Sequence, residues 1–483
     1  MRTAPSPPQR EGCPAGPESL RSAGVQSGSP RSDDAPDPSS FPEPPGPRGQ
    51  RLRNLTRRVR GTSSFFENLR DRYGDVVGYR ILGKRYCLLF RPDLMEEVIA
   101  QEQTSFRKGA QERKAMENDC IITANGADHE RRRRLVQPSF RPRALEGYSR
   151  NMVSEAVRYR DSLRDGERID MEDLATDLSL AVAGRSFFGD DQPVGTRLMK
   201  DFLAGFRWMF ALGHFPFDKL AKAVPLPRTR AARRHIHELD NLVYETIDRA
   251  RKGGNRNDLV SHLVAAWDQD RPNRDFTESE LKDEIFAILI ASHVTIAATL
   301  TWSIYHLSRH PAVRDRLEQE VDEVLGDRLP EFSDFPDLPY TRAVVDESLR
   351  ITPPVFYLGR IAVRDLVIGG YRIREGTIVQ LSTRTPMYEE QYFREPDRFN
   401  PERWLEEPRP KLPRLAYAPF GTGIRFCSGF RFALLELVFA LAVLGRRWRF
   451  DVVDPGFPPV TDVLFYKCRN GLPVVVRQRE NGA

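Results

Sequence analysis

The apolar positions of this chain change rhythm along its length, and each rhythm predicts a different kind of structure. Residues 1–50 are rich in Pro, Ser, Gly and charge, with almost no apolar periodicity, which predicts a disordered segment. Order is expected from about Ser63. The run Ser64-Phe-Phe-Glu-Asn-Leu-Arg-Asp-Arg-Tyr has helical spacing and a stop at Gly74. Val76 to Phe90 reads as two strands around Gly83-Lys84, and Pro92 to Gln101 as a helix with proline in its first turn. From about residue 130 to 325 the spacing is mostly helical. Val367 to Val379 reads as two short strands around glycine turns, and the Pro- and Arg-rich stretch from Tyr392 to Pro419 as irregular. Two runs are apolar nearly throughout: Asp283 to Arg309, and Ala433 to Leu441. Ser292, His293 and Thr295 interrupt the first and Glu436 the second, so both are predicted to be core helices rather than membrane spans. The expected class is mainly α with small β-sheets (α+β), without internal repeats.

Composition narrows this only a little. With 483 residues, 40% of them hydrophobic, the chain can bury a large core. Its five cysteines, Cys13, Cys87, Cys120, Cys427 and Cys468, have neither disulfide-framework nor zinc-like spacing and fit a reducing compartment. No secretory signal or membrane anchor is seen, so a soluble cytoplasmic protein is expected. The net charge of +6 leaves two interpretations open. Either arginine is spread over solvated faces, or a basic face speeds encounter with an acidic electron donor. No nucleic-acid motif is present.

Candidate chemistry concentrates in Phe420-Gly-Thr-Gly-Ile-Arg-Phe-Cys427-Ser-Gly-Phe-Arg-Phe-Ala433. One cysteine follows a glycine-bearing turn and precedes an apolar helix, whose first N–H groups would stabilise a thiolate. Gly423 and Gly429 permit close backbone approach. Phe420 and Phe426 offer apolar flanks to a flat ligand, and Arg425 offers a cation to a carboxylate. A lone cysteine is commonly a small core hydrophobe, but this combination suits an axial thiolate ligand to haem. The segment fills every fixed position of Phe-x-x-Gly-x-Arg-x-Cys-x-Gly-x-x-x-Ala, and it resembles the haem-binding loop of the cytochrome P450 family. The resemblance implies a triangular helical prism around haem b over residues 51–483. Cys427 would be the iron ligand, with Phe420, Arg425 and Gly429 beside it.

Three further motifs carry the resemblance. His129 and Arg133, four apart, share a helix face. They resemble the family's His-x-x-x-Arg helix, which implies that both hold haem propionates together with Arg360 and Arg425. Arg131, Arg132 and Arg134 read as a solvated face. Glu347-Ser-Leu-Arg350 resembles the family's Glu-x-x-Arg motif, and Phe399-Asn-Pro-Glu-Arg403-Trp404 its partner. Glu347, Arg350 and Arg403 are therefore expected to form a buried structural ion network. Ala291-Ser-His-Val-Thr-Ile296 is similar to the oxygen-activating segment Ala-Gly-x-(Asp/Glu)-Thr-(Thr/Ser), with two departures. Ser292 replaces the glycine, and Val294 replaces the acid that, paired with the alcohol, feeds protons to dioxygen.

Valine carries no proton. Thr295 remains as a hydrogen-bonding group, and Ser292 lies one turn earlier, where it can organise a water. His293 points about 100° away from Val294. Monooxygenation with a water-based proton supply, peroxide-driven oxygenation, and haem isomerisation without this relay all stay open. Outside enzymes, a non-catalytic partner protein does too.

Phe206 and Phe210 lie in an aromatic stretch that resembles the family's substrate lid. Val294, Phe356, Tyr357 and Phe465 fall where its other pocket walls lie. Together these imply a bulky apolar substrate: terpenoid, fatty acyl chain, steroid or polyketide. The chain has no flavin or iron–sulfur motif, so electrons are expected from a separate ferredoxin or flavodoxin and its reductase, delivered to a monomer.

Overall fold

The computed structural model describes residues 37–47, 61–81, 83–109, 119–189, 200–201, 227–253, 257–269, 276–406, 411–462 and 465–480. The first helical run forms α1 (Thr62–Tyr73), which buries Phe65, Phe66 and Leu69 and ends at Gly74, whose φ of 88° disfavours a side chain. Its other end is closed from far along the chain. The N–H groups of Thr62 and Ser63 donate to Asp462 at 2.8 and 2.7 Å, satisfying donors a helix leaves open. β1 (Val76–Ile81) and β2 (Lys84–Leu89) form the expected hairpin, with Ile81 opposite Lys84. α2 (Pro92–Ala100) starts on its proline, and β3 (Phe106–Arg107) follows.

The helical middle comprises α3 (Gly126–Val136), α4 (Pro142–Ser162), α5 (Met171–Phe188), α6 (Pro227–Gly253), α7 (Leu259–Gln269), α8 (Glu278–Arg309), α9 (Pro311–Leu325) and α10 (Pro339–Ile351). One strand, β4 (Arg168–Asp170), interrupts it. Asp170 both ends that strand and caps α5, accepting from the Glu172 N–H at 2.9 Å. α8 opens on a capping box between Thr277 and Glu280. Among the described residues it is the one helix long and apolar enough to cross a membrane. Here it runs through the core and packs on α5, α10 and the later helix α11 (Phe430–Gly445).

The remaining strands are β5 (Leu358–Ala362), β6 (Leu366–Ile368), β7 (Tyr371–Ile373), β8 (Ile378–Leu381), β9 (Trp448–Val452), β10 (Val460–Thr461), β11 (Lys467–Cys468) and β12 (Pro473–Gln478). Where two strands were expected around 367–379, three form. β6 and β7 make a hairpin at Gly369-Gly370, while β8 leaves to lie parallel to β2. The resulting sheet has the order β1-β2-β8-β5-β3. A second sheet, β4-β12-β9, joins the middle of the chain to its end.

Residues 37–47, within the segment expected to be disordered, are held in place, which corrects that expectation for these positions. Pro42 and Pro45 accept hydrogen bonds from the N–H groups of Arg372 and Gly78, each at 2.8 Å, and strap residues 37–47 onto β7 and β1. Prolines suit this edge role because the strap uses only their carbonyls. Residues 1–36 and 48–60 lie outside the described residues.

Candidate active site

The cysteine segment folds back on itself through two glycines. Gly421 and Gly423 take φ of 72° and 69°, a region other residues avoid. Gly423–Arg425 then makes a single 3-10 turn, and the Cys427 N–H donates to the Phe420 carbonyl at 3.0 Å. A Cβ at Gly423 would lie 2.8 Å from Ile99, so the end of α2 rests directly on this turn. Phe420 and Phe426 each meet Phe430 at the start of α11, at 6.2 and 4.9 Å between rings.

Cys427 is exposed, whereas Cys87, Cys120 and Cys468 are buried. The protein around it nonetheless pushes the thiol's pKa up by desolvation. The Gly429 N–H and the Arg133 charge pull the other way without prevailing. The expected stabilisation by helix N–H groups is therefore not sufficient for a thiolate; a metal cation bound to the sulfur is what would remove the proton.

A second accessible stretch lies at mid-α8. Ile290, Ser292, Val294 and Thr295 are part-exposed and Ala291 is exposed, while residues 284–289 and 296–307 are buried. Residues three and four apart share a helix face, so Ile290, Ala291, Val294 and Thr295 open to one side, with Ser292, three before Thr295, at its edge. Thr295 donates its hydroxyl to the Ala291 carbonyl at 3.2 Å, and Ser292 donates to that of Leu289 at 3.0 Å. His293 is fully buried, with Nδ1 3.2 Å from the Leu289 carbonyl, and shares neither their exposure nor their face.

A cationic cluster forms around His129, which is buried on α3. Burial, then the charges of Arg425, Arg133 and Arg360, push its pKa down to about 4, so the ring is neutral at neutral pH. Arg133 donates to the Phe426 carbonyl at 2.9 Å and so ties α3 to the cysteine turn. Arg425 reaches the Ala124 carbonyl at 2.5 Å and Asn125 at 3.2 Å. Arg360 is held in β5 with 2% exposure. The structure thus brings all four expected residues together.

It also brings in Glu102. Arg360 Nε donates to its Oε1 at 2.6 Å, and Arg425 Nε stands 3.1 Å from the same oxygen. Nothing in Gln101-Glu102-Gln103 signals this, because such a run reads as a solvated helix end. Among the described residues, His129 Nδ1 and Glu102 Oε2 are buried without a hydrogen-bond partner. Three guanidinium groups, a neutral imidazole and an open sulfur fit a flat metallocycle carrying two carboxylates.

The neighbouring basic face is solvated as expected at Arg134, which is exposed, but not at Arg131 and Arg132. Arg132 is 2% exposed and pairs with Glu284 at 2.7 Å and with Asp128 and Glu280 at 3.0 Å. Arg131 shares Asp128 and Glu280 and lies 3.8 Å over the Phe276 ring. The acids that neutralise this face come largely from α8, about 150 residues away in sequence, which no local pattern reveals. Glu284 also accepts from the Ile121 N–H at 3.0 Å. Its pKa is raised to about 7 by burial, against the pull of Arg132.

Glu347, Arg350 and Arg403 meet in a separate buried network. Arg350 binds Glu347 through Nε and Nη2, each at 2.9 Å, and Arg403 Nε joins at 3.1 Å. The Asn400 N–H and Trp404 Nε1 complete the carboxylate, both at 2.9 Å.

The substrate residues divide. Phe206 and Phe210 lie outside the described residues. Val294 belongs to the accessible α8 face, and Tyr357 and Phe465 are half-buried. Phe356 is corrected: at 1% exposure it packs with Phe66, Tyr357 and Tyr466 and backs the wall rather than lining it.

An accessible cysteine on a glycine turn, an arginine cradle and a central helix with one open face define a haem-thiolate class of oxygenase. The cytochrome P450 family model matches residues 43–465, and the chain belongs to that family. It is 31% identical over 418 residues to cyclooctat-9-en-7-ol 5-monooxygenase of Streptomyces melanosporofaciens, covering 84% of this chain and 89% of the relative. It is 29% identical over 403 residues to pentalenene oxygenase of Streptomyces avermitilis, covering 82% and 89%. Among solved structures it resembles the haem domain of cytochrome P450DA, with TM-score 0.79, 25% identity and coverage of 91% and 97%. It also resembles retinoic-acid-bound cyanobacterial CYP120A1, with TM-score 0.78, 22% identity and coverage of 91% and 100%. The protein is a cytochrome P450 monooxygenase. It uses a haem-thiolate cofactor, dioxygen, a hydrophobic substrate and electrons from a redox partner.

Proposed function

We propose that this enzyme hydroxylates a bulky, apolar terpenoid at haem b ligated by Cys427. The observations that carry the reading are an accessible Cys427 on its glycine turn and an accessible stretch at mid-α8 that holds Thr295. The activities for which the two Streptomyces relatives are named favour a terpenoid over the other lipophiles. His129, Arg133, Arg360 and Arg425 hold the propionates, while Phe420 and Gly429 flank the cysteine. Electrons come from a ferredoxin or flavodoxin, and the protein acts as a cytoplasmic monomer.

Bound haem supplies reductive dioxygen activation. The chain's own residues shape and hydrate the reaction space. Ile290, Ala291 and Val294 give it an apolar wall that excludes bulk water. The Ser292 and Thr295 hydroxyls spend their protons on helix carbonyls, which leaves their lone pairs to accept a hydrogen bond from a water. That water, rather than a carboxyl at Val294, delivers protons.

Two measurements test this reading. In the reduced, carbonyl-treated protein, Cys427→Ala is expected to abolish the thiolate-type absorption band; a retained band removes Cys427 as the ligand. Titrating the ferric protein with terpenes, fatty acids, steroids and macrolactones is expected to shift the Soret band to the blue with a terpene. A shift with another class alone overturns the terpenoid assignment. Val294 specifically favours a second route, oxygenation driven by peroxide, and turnover with peroxide but not with any electron donor would select it.

A further inference from the structure

The arginine cradle contains a carboxylate that a haem-binding site does not obviously need. Glu102 is 5% exposed and lies just past α2, where its own N–H donates to the Ile99 carbonyl at 3.2 Å. One oxygen meets both Arg360 and Arg425. The other has no hydrogen-bond partner among the described residues and lies 3.5 Å from where a Cβ on Gly423 would stand. The glycine of the cysteine turn therefore leaves room for this acid as well as for Ile99.

A lone buried carboxylate is costly, and so are clustered buried guanidinium groups. Placed together, each lowers the cost of the other. Arg133, Arg360 and Arg425 carry three positive charges, Glu102 removes one, and two remain. Two is the charge that a pair of propionates would balance. The neighbouring charges do not alter this balance locally, because Arg131 and Arg132 have their own acids in Asp128, Glu280 and Glu284.

We propose that Glu102 is a positioning residue that presets the cradle. It fixes Arg360 and Arg425 before haem arrives and trims the site's charge to that of the two propionates, and so holds down the haem reduction potential. This rests on the propionate assignment above. Extra positive charge beside haem favours the ferrous form, because reduction adds an electron to a site whose counter-charges are fixed.

The test uses the haem-loaded full chain. Glu102→Gln keeps the shape and removes the charge. It is expected to favour the ferrous form by about tenfold, a positive shift of about 59 mV for one electron, with the thiolate carbonyl band retained. Glu102→Gln combined with Arg360→Gln restores the net charge and is expected to return the midpoint towards wild type. If Glu102→Gln alone takes up no haem, Glu102→Asp, which keeps the charge, is expected to recover uptake.

An unchanged midpoint in a fully loaded Glu102→Gln overturns the proposal, as does a loaded double variant whose midpoint stays as high as that of Glu102→Gln, or a Glu102→Asp that does not recover uptake. Haem dimethyl ester separates the two layers of the argument. If wild-type protein retains the ester as well as haem, the propionate assignment itself fails. If it loses the ester readily while Glu102→Gln leaves the midpoint unmoved, only the role of Glu102 fails.

Discussion

Glu347 and Glu102 are both buried glutamates beside two arginines, yet they are finished differently. Both oxygens of Glu347 are saturated by Arg350, Arg403, Trp404 and the Asn400 N–H. Arg350 in turn gives its remaining nitrogen to the Met387 carbonyl at 2.7 Å. Among the described residues Glu102 has one oxygen unmet, and the cluster around it holds more positive than negative charge. A closed network serves as scaffold, because every polar group already has its partner and only rupture changes it. An open one reserves capacity for something that brings the missing charge. The contrast separates the structural arginines of this enzyme from those we assign to the cofactor.

Breaking the closed network should have the largest effect. Arg350→Leu leaves Glu347 buried with part of its shell, at a cost of about 3–5 kcal/mol. Little folded protein is expected, as read by thermal unfolding and yield. Arg360→Leu, by comparison, is expected to give folded protein that loses haem at least tenfold faster to an apomyoglobin trap. Equal thermal penalties for the two variants would erase the distinction between the clusters.

The closed region should also resist protons. His306 stacks on Phe399 with ring centroids 4.5 Å apart. Burial, then His310 and Arg350, push its pKa down to about 3. The unfolded chain, with histidine near 6.5, therefore binds the proton more readily than the folded one. Stability is full above about pH 6.5 and falls as pH drops towards 3, with about 2 kcal/mol lost by pH 5. His306→Phe should flatten that part of the stability curve, as read from unfolding midpoints at pH 7 and 5. An unchanged acid slope would remove His306 as its source.

The smallest effect is expected at the open face of α8. Thr295→Ala removes one hydroxyl and little packing, so the fold should hold while a larger share of electrons ends in peroxide, by a few-fold. Coupling of reductant to product that equals wild type would exclude Thr295 from proton delivery.

Local pattern by itself determined much of this protein. The spacing of Phe65, Phe66 and Leu69 with a stop at Gly74 specifies α1, and the turn at Gly83 specifies the first hairpin. The run from Phe420 to Ala433 carries the cysteine turn, since its glycines are the residues that accept φ near 70°. These features need only neighbours a few residues apart. The tertiary structure alone decided which charges meet. Asp462 closes α1, Glu284 buries Arg132, and β8 pairs with β2. Glu102 reaches Arg360 across 258 positions of chain. A charged residue is written the same way in sequence whether it ends in water or in the core. Only the fold brings together the oppositely charged partners that make its burial affordable.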